Sequence, residues 1–470
     1  MSDLTALSAS ELSARLAARA TSAVEVMQAH LDRIDRLNPA INAIVALQDR
    51  DALMAAARTA DATPRKGWLH GMPMAVKDLA LVKGIRSTSG SPIFADLIPT
   101  ADDMLARTLR AEGAIFIGKT NTPEFGLGSH SFNPIYGVTR TPYDLTRSAG
   151  GSSGGAAAAL AARLTPIADG SDMMGSLRNP AAFCNVYGFR PSYGLVPFDP
   201  VGDTFLHQLS TNGPMARSVE DLARLLETLA QPDPRLPHSR TPEPYADALD
   251  IDPKGKRIGW LADWGGAYQM EPGILDLCQT ALKTFEDIGC TVTALAPPFP
   301  AAKIWDSWTT LRSFAIAGST APLYANPKTR ALLKPEMVWE IERGLALTAM
   351  QVHRASVIRS EWFTTLATLF ESYDALVLPS AQVWPFPVEW RYPETINGHA
   401  MDTYHRWMEV VIPVSLTGLP ALAIPAGFGA NGLPMGMQLF GPRGADRSIL
   451  RLGQAYHRAT DWPGRFPPTL

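Results

Sequence analysis

Residues 147–189, RSAGGSSGGAAAALAARLTPIADGSDMMGSLRNPAAFCNVYGF, constrain this chain more than any other stretch. A glycine-serine run at 150–155 passes without a gap into an alanine-rich helix; a strand and the loop GSDMMGSLRNP at 170–180 follow. Backbone N–H groups gathered at the start of such a helix stabilise negative charge, which raises an anion or oxyanion role for the run above that of a plain linker. A phosphate-binding loop needs lysine after the last glycine, and Ala156 stands there; no GxGxxG opens a helix elsewhere. The nine histidines lie apart from these serines and outside any GxSxG elbow, so a histidine-based triad has no support.

Serine activated by lysine is the remaining route, and it carries a physical requirement. The lysine must be neutral to act as a base, so burial or nearby positive charge must lower its pKa. Lys77, at the end of the apolar strand PMAV in GMPMAVKDLALVKG, is placed for burial. Taken alone it reads first as a solvated lysine paired with Asp78, and Lys83 and Lys119 read that way with more force.

Helices and strands alternate around this segment. Capping boxes at Ser8 with Glu11 and at Ser22 with Glu25 open two helices. ARTLRAEGAIFIGKTN predicts a helix stopped by Gly113 and then a strand over 114–118. RIGWLAD, a helix around 275–288 and CTVTAL make a strand–helix–strand unit of a parallel or mixed sheet. Residues 305–370 read mainly helical, and DALVLPSA returns to a strand ending at Pro379. The proline-rich stretch at 231–244 predicts an exposed excursion and a candidate boundary. Residues 410–442 carry no charge, but Pro413, Gly418, Pro420 and Pro425 interrupt them, so they read as buried strands and turns and not as a membrane span.

Composition narrows the function classes. A chain of 470 residues, 46% hydrophobic and 19% charged, can bury a large core. A net charge of −3 without any Lys/Arg cluster disfavours nucleic acid as a partner. Cys184, Cys278 and Cys290 are too few and too scattered for a disulfide framework or a zinc site, and read as buried free thiols in a reducing cytoplasm. The N-terminus, MSDLTALSASELSARL, lacks the apolar core of a secretory signal, so a cytoplasmic location is expected.

Three separated motifs, GMPMAVKDLALVKG with Lys77, GGSSGG at 150–155 and GSDMMGSLRNPAAFCNVYGFRPSYGLVP at 170–197, occur in the order of the amidase signature family, which this chain resembles. The resemblance extends to AEGAIFIGKTNTPEF and TGLPALAIPAGFGANGLPMGMQLFGP, and is weakest over about 231–374. It implies an α/β fold, with a large mixed β-sheet core flanked by helices on both sides. It also implies one amidase domain over 1–470: N-terminal helices at 1–60, a core at about 60–230 and 370–470, and a more variable region at about 231–374. No cofactor and no metal are expected.

The resemblance carries a catalytic Ser-Ser-Lys triad onto Lys77, Ser152 and Ser176, the two serines standing 24 residues apart. In the mechanism it implies, neutral Lys77 withdraws a proton through Ser152, and Ser152 deprotonates Ser176 as it attacks an acyl carbon. Ser152 then returns the proton to the leaving amine, and water hydrolyses the ester. A cis peptide bond joins Gly151 to Ser152 in such a site. The backbone N–H groups of Met173, Met174, Gly175 and Ser176 form the oxyanion hole. Ser153, Asp172 and Arg178 support Lys77 and the loop through hydrogen bonds and a charge pair. Most family members carry glycine where Met174 stands; glycine tolerates positive φ and leaves space beside the acyl carbon. The favoured reading keeps negative φ at Met174, its N–H inward and its thioether on the pocket wall, with loss of activity as the alternative.

The expected activity is hydrolysis of a small hydrophobic amide, anilide, carbamate or ester, with esterase side activity. The expected partner is that small molecule, with neither nucleic acid nor membrane; a homodimer is left open. Two other readings stand beside it: the glutamine amidase (A) subunit of a tRNA amidotransferase, and a non-catalytic binding protein on the same fold. Of the rings of Trp384, Phe386, Trp390, Tyr392, Tyr404 and Trp407, some are expected to face an apolar acyl or aryl group while the rest pack the core.

Overall fold

Eight strands form the larger sheet. In order across it they are Thr291–Ala294, Arg257–Trp260, Ala375–Pro379, Pro434–Phe440, Ala421–Phe428, Tyr187–Arg190, Thr211–Ala216 and Ala168–Asp172. Arg257–Trp260 runs parallel to both neighbours. The remaining pairings are antiparallel, so the sheet is mixed. All seven residues of Pro434–Phe440 are buried, and successive side chains point to opposite faces, so both faces of the sheet centre are covered. Helices Arg178–Phe183, Ile274–Asp287 and Asp446–Thr460 pack on these central strands. This computed structural model describes residues 3–470; Met1 and Ser2, at the start of the expected N-terminal helical region, lie outside the described residues.

A second sheet has three strands, Ile44–Val45, Ile115–Thr120 and Pro73–Lys77, with the last two parallel. Ile115–Thr120 runs further than the 114–118 expected, which brings Lys119 inside it. The helix Gly154–Ala161 packs against both sheets, touching Pro73–Lys77 and Ile115–Thr120 on one side and Ala168–Asp172 and Thr211–Ala216 on the other. Every residue of that helix is buried, and side chains no larger than methyl at seven of its eight positions, GGAAAALA, let its backbone come this close to two sheets. The glycine-alanine stretch is thus the spacer that sets the two sheets at a fixed distance.

Both N-terminal capping boxes form, at Ser8 with Glu11 for Ala9–Ala17 and at Ser22 with Glu25 for Ala23–Ile41. The excursion at 231–244 contains no helix or strand, yet Asp233 and Leu236 are buried within it. Strands before and after it lie in one sheet, so it is a detour between neighbouring parts of that sheet. Residues 410–442 contain the two buried strands, and also a short helix, Ile412–Thr417, in place of an expected turn. Among the described residues no helix is long and apolar enough to cross a membrane. The three cysteines are free and buried.

Candidate active site

Lys77 is the last residue of its strand and is 2% exposed. Its Nζ donates to Ser152 Oγ (2.8 Å), Ser153 Oγ (2.8 Å) and Ser171 Oγ (2.9 Å). Burial pushes its pKa down to about 7, against the opposing pull of the negative charges at Asp169 and Asp172. The alternative of a solvated pair with Asp78 is corrected: the Asp78 carboxylate accepts from the Thr88 N–H (2.9 Å) and hydroxyl instead. Lys119 is corrected too. It is fully buried, and its Nζ donates to the Ala80 carbonyl and to Ser87 Oγ (3.3 Å). Lys83 is exposed, as expected.

The Gly151–Ser152 peptide bond is cis. Ser152 and Ser176 both line one cleft of about 250 Å³. The Ser153 N–H donates to the Ser176 carbonyl (3.2 Å), which ties the two serine loops together. Gly126, at φ +70°, packs beside Ser152; a Cβ there would come within 3.0 Å of Leu79 and 3.4 Å of Ser152 Oγ.

Asp172 organises the loop that follows it. Its Oδ1 accepts the Gly175 N–H (3.0 Å) and its Oδ2 the Leu177 N–H (3.1 Å). Two fully buried guanidiniums, Arg178 and Arg190, each pair with it at 2.9 Å. Burial alone raises the Asp172 pKa, but these two cations outweigh burial and hold the carboxyl well below the usual carboxylate range. Arg190, in the FRPSYG stretch, is the second cation on Asp172, and no spacing marks it in the sequence.

The Gly175 N–H is therefore turned to Asp172, which corrects its place among the oxyanion donors. The N–H groups of Met173, Met174 and Ser176 have no hydrogen-bond partner among the described residues. Positive φ in this loop falls on Gly175, at +79°, where a Cβ would meet Asn179 Oδ1 at 2.2 Å. Met174 is outside the positive-φ residues, so methionine is accommodated there without a glycine conformation, and it lines the cleft beside Met173.

The remaining walls come from elsewhere. Arg312, Ile316, Ser319 and Thr320 share one face of the helix Ala301–Ala325. Leu79, residues 125–128, Met337 and Met408 complete the lining with Ser171 and Ser210. Some of the six aromatic rings are expected to face the substrate, and none lines this cleft, a correction with a packing cause. The helix Ala301–Ala325 occupies that wall, Phe386 packs edge-on to Trp407 and His130, and Trp390 is 47% exposed. Tyr404 instead places its hydroxyl between Arg312 and Glu340. No group of three or more His, Cys, Asp or Glu side chains suited to a metal ion occurs among the described residues.

The profile of the Amidase family matches residues 25–450. This chain belongs to the amidase signature family. The amidase is 34% identical over 470 residues to an acylamidase of Rhodococcus erythropolis, covering 98% of this chain and 97% of that protein. It is also 34% identical over 485 residues to the A subunit of the glutamyl-tRNA(Gln) amidotransferase of Thermosynechococcus vestitus, covering 97% and 98%. Among solved structures, a bacterial aryl acylamidase of the amidase signature family superposes with a TM-score of 0.91 at 29% identity, covering 99% of each chain. The amidase is thus an enzyme that hydrolyses carbon–nitrogen bonds of non-peptide amides.

Proposed function

We propose that this amidase hydrolyses small, uncharged amides with an apolar acyl or aryl group, anilides foremost, through an acyl-enzyme on Ser176. The lining of the cleft carries this reading. Leu79, Phe125, Leu127, Met173, Met174, Ile316, Met337 and Met408 supply its apolar surface. Among the described residues its one charged lining residue, Arg312, is already paired with Glu340 at 2.6 Å. Glutamine brings an α-ammonium and an α-carboxylate, and among the described residues no acidic side chain lines the cleft to meet the ammonium. Identity to the amidotransferase protein matches that to the acylamidase, so chemistry of the lining is what favours the acylamidase activity.

In the proposed reaction neutral Lys77 accepts the Ser152 proton while Ser152 takes that of Ser176, and Ser176 Oγ attacks the acyl carbon. The three hydroxyls around Nζ suit this step, because a hydroxyl donates to a neutral amine as readily as it accepts from an ammonium. The N–H groups of Met173, Met174 and Ser176 are the donors left for the developing oxyanion, each worth roughly 3 kcal/mol at the transition state. The relay then runs backwards: Ser152 protonates the departing amine, and water attacks the ester. Carbamates and esters present the same carbonyl to the same loop and fall within this reading as further substrates. The buried free thiols support a reducing, cytoplasmic setting.

A panel of para-nitroanilides, a fluorophosphonate label and a glutaminase assay test the proposal together. The parent is expected to release nitroaniline and to take the label on Ser176 by peptide mapping; Ser176→Ala does neither. Ammonia from glutamine without anilide turnover would instead support the amidotransferase reading. A parent that neither turns over nor takes label is the outcome required by a non-catalytic binding protein.

A further inference from the structure

We infer that Arg312 reads the acyl portion of the substrate, its Nη1 donating to an uncharged acceptor oxygen (ether, hydroxyl or carbonyl) carried on the acyl group away from the scissile bond. The inference rests on the small-amide reading above and names a narrower class within it.

Arg312 is 3% exposed yet lines the cleft, on the same helix face as Ile316. A guanidinium has five N–H donors and no acceptor, so each of its nitrogens can be followed to a partner. Nε donates to Glu340 Oε1 (2.6 Å) and Nη2 to the Tyr404 hydroxyl (2.8 Å). Nη1, which carries two N–H groups, reaches only the Met173 thioether sulfur, at 3.3 Å. Thioether sulfur is a weak acceptor, so Nη1 is the least committed nitrogen of this guanidinium. A substrate oxygen that shares or replaces the sulfur contact gives a buried charged donor the partner it lacks.

Charge decides which oxygen. Glu340 neutralises the guanidinium, and its other oxygen accepts from the Ser313 hydroxyl (2.6 Å). A carboxylate brought against this neutral pair would lose its hydration without finding a free cation, whereas an uncharged acceptor loses far less on leaving water. The guanidinium is held from three sides, by Glu340, Tyr404 and Met173, so it is positioned before substrate arrives. It is the uncommitted donor of a wall shared with Ile316, Met173 and Met337, because the Ser319 and Thr320 hydroxyls on the same helix face already donate to the Ala315 and Ile316 carbonyls, an arrangement that selects where along an acyl chain an oxygen is welcome.

The test is an oxygen scan. Each methylene of hexanoyl para-nitroanilide is replaced in turn by oxygen, a terminal-carboxylate analogue is added, and kcat/KM is measured against the all-carbon substrate as each variant's own reference. In the parent, one scan position beyond the carbon next to the carbonyl is expected to exceed the all-carbon chain by about tenfold or more, and the carboxylate analogue shows no gain. Arg312→Met combined with Glu340→Leu removes both charges together and is expected to bring that position back to the reference. Arg312→Lys keeps a cation beside Glu340 but cannot reach Met173 and Tyr404 at once, and loses the gain as well should the double variant not fold. A profile unchanged by the Arg312 variants, or a flat one in a parent that cleaves the all-carbon anilide, overturns the inference alone. A gain for the carboxylate analogue overturns the preference for uncharged acceptors. A parent inactive on every anilide overturns the small-amide reading and this inference with it.

Discussion

Lys77 and Lys119 sit on adjacent parallel strands of the three-stranded sheet, one residue out of register, with Lys119 opposite Val76 and Thr120 opposite Lys77. Both are buried, and burial lowers the pKa of both. Their partners separate them. Lys119 donates to a backbone carbonyl and to one hydroxyl, Ser87 Oγ (3.3 Å), whereas opposing carboxylate charge is common to both lysines, from Asp78 at Lys119 and from Asp169 and Asp172 at Lys77. A carbonyl only accepts, so it holds the amine as a donor. Lys77 has three hydroxyls at 2.8–2.9 Å, with the Ser171 carbonyl further off at 3.5 Å, and a hydroxyl serves the amine in either protonation state. On the proposed mechanism, the same residue type at the same depth is a structural donor in one place and the proton acceptor in the other.

The largest expected effect that sharpens this contrast is on rate. Lys77→Met lowers kcat/KM for an anilide by about 10³-fold or more, in the upper range of general-base losses, and by much less for an activated para-nitrophenyl ester whose leaving group needs no proton. Lys119→Met loses about 1–3 kcal/mol of stability in urea, because the carbonyl and hydroxyl it held are left buried, while its folded fraction keeps the anilide activity. Equal rate losses in the two variants would break the contrast.

A third buried cationic cluster extends it. Arg178 and Arg190 share Asp172, and Asp172→Asn leaves both cations without a counterion at a cost of about 3–5 kcal/mol. Urea denaturation reads the effect; a change under about 1 kcal/mol would mean that these arginines, like Lys77, need no paired carboxylate.

A smaller effect appears in pH dependence. Below its pKa Lys77 is protonated and accepts no proton, so anilide kcat/KM is expected to rise with pH through about 7. Ser171→Asp places a carboxylate in contact with Nζ, adding to the charges of Asp169 and Asp172. That charge favours the ammonium, so the acid limb moves up by about 1 pH unit or more and activity at pH 7 drops correspondingly. A limb that stays in place would assign it to another group.

The smallest expected effect concerns Met174. Met174→Gly removes a side chain from the cleft wall while Gly175 keeps the loop's positive φ, so acyl-length preference shifts by about 1–2 kcal/mol across the anilide series. An unchanged series would mean that the wall near the acyl group is formed by Met173 and Ile316 without it.

Local features of this fold are readable in the sequence. The capping boxes, the strand ending at Lys77, the alanine helix and the strand–helix–strand unit beyond 250 all follow from spacing over a few residues, and each stands where that spacing puts it. The cleft is only half legible. Its floor comes from compact motifs, whereas its wall is contributed by Arg312, Ile316, Ser319 and Thr320 on a helix more than 130 residues beyond Ser176. Nothing in the helix's own pattern marks the face turned to the serines. The aromatic run misleads for the same reason: ring-rich sequence signals burial, and burial has many addresses.

Sequence alone is enough for the order of the chemistry-bearing motifs, because a glycine-serine loop joined to an alanine helix leaves few ways to fold and sets two serines at a fixed separation along the chain. It also places methionine in the loop without saying that positive φ falls one residue later, on Gly175. That burial lowers the pKa of both Lys77 and Lys119 is settled in three dimensions. Desolvation sums over every shell of atoms around Nζ, and the atoms around Lys77 and Lys119 come from strands and loops that meet only after the sheets have packed on the helix Gly154–Ala161.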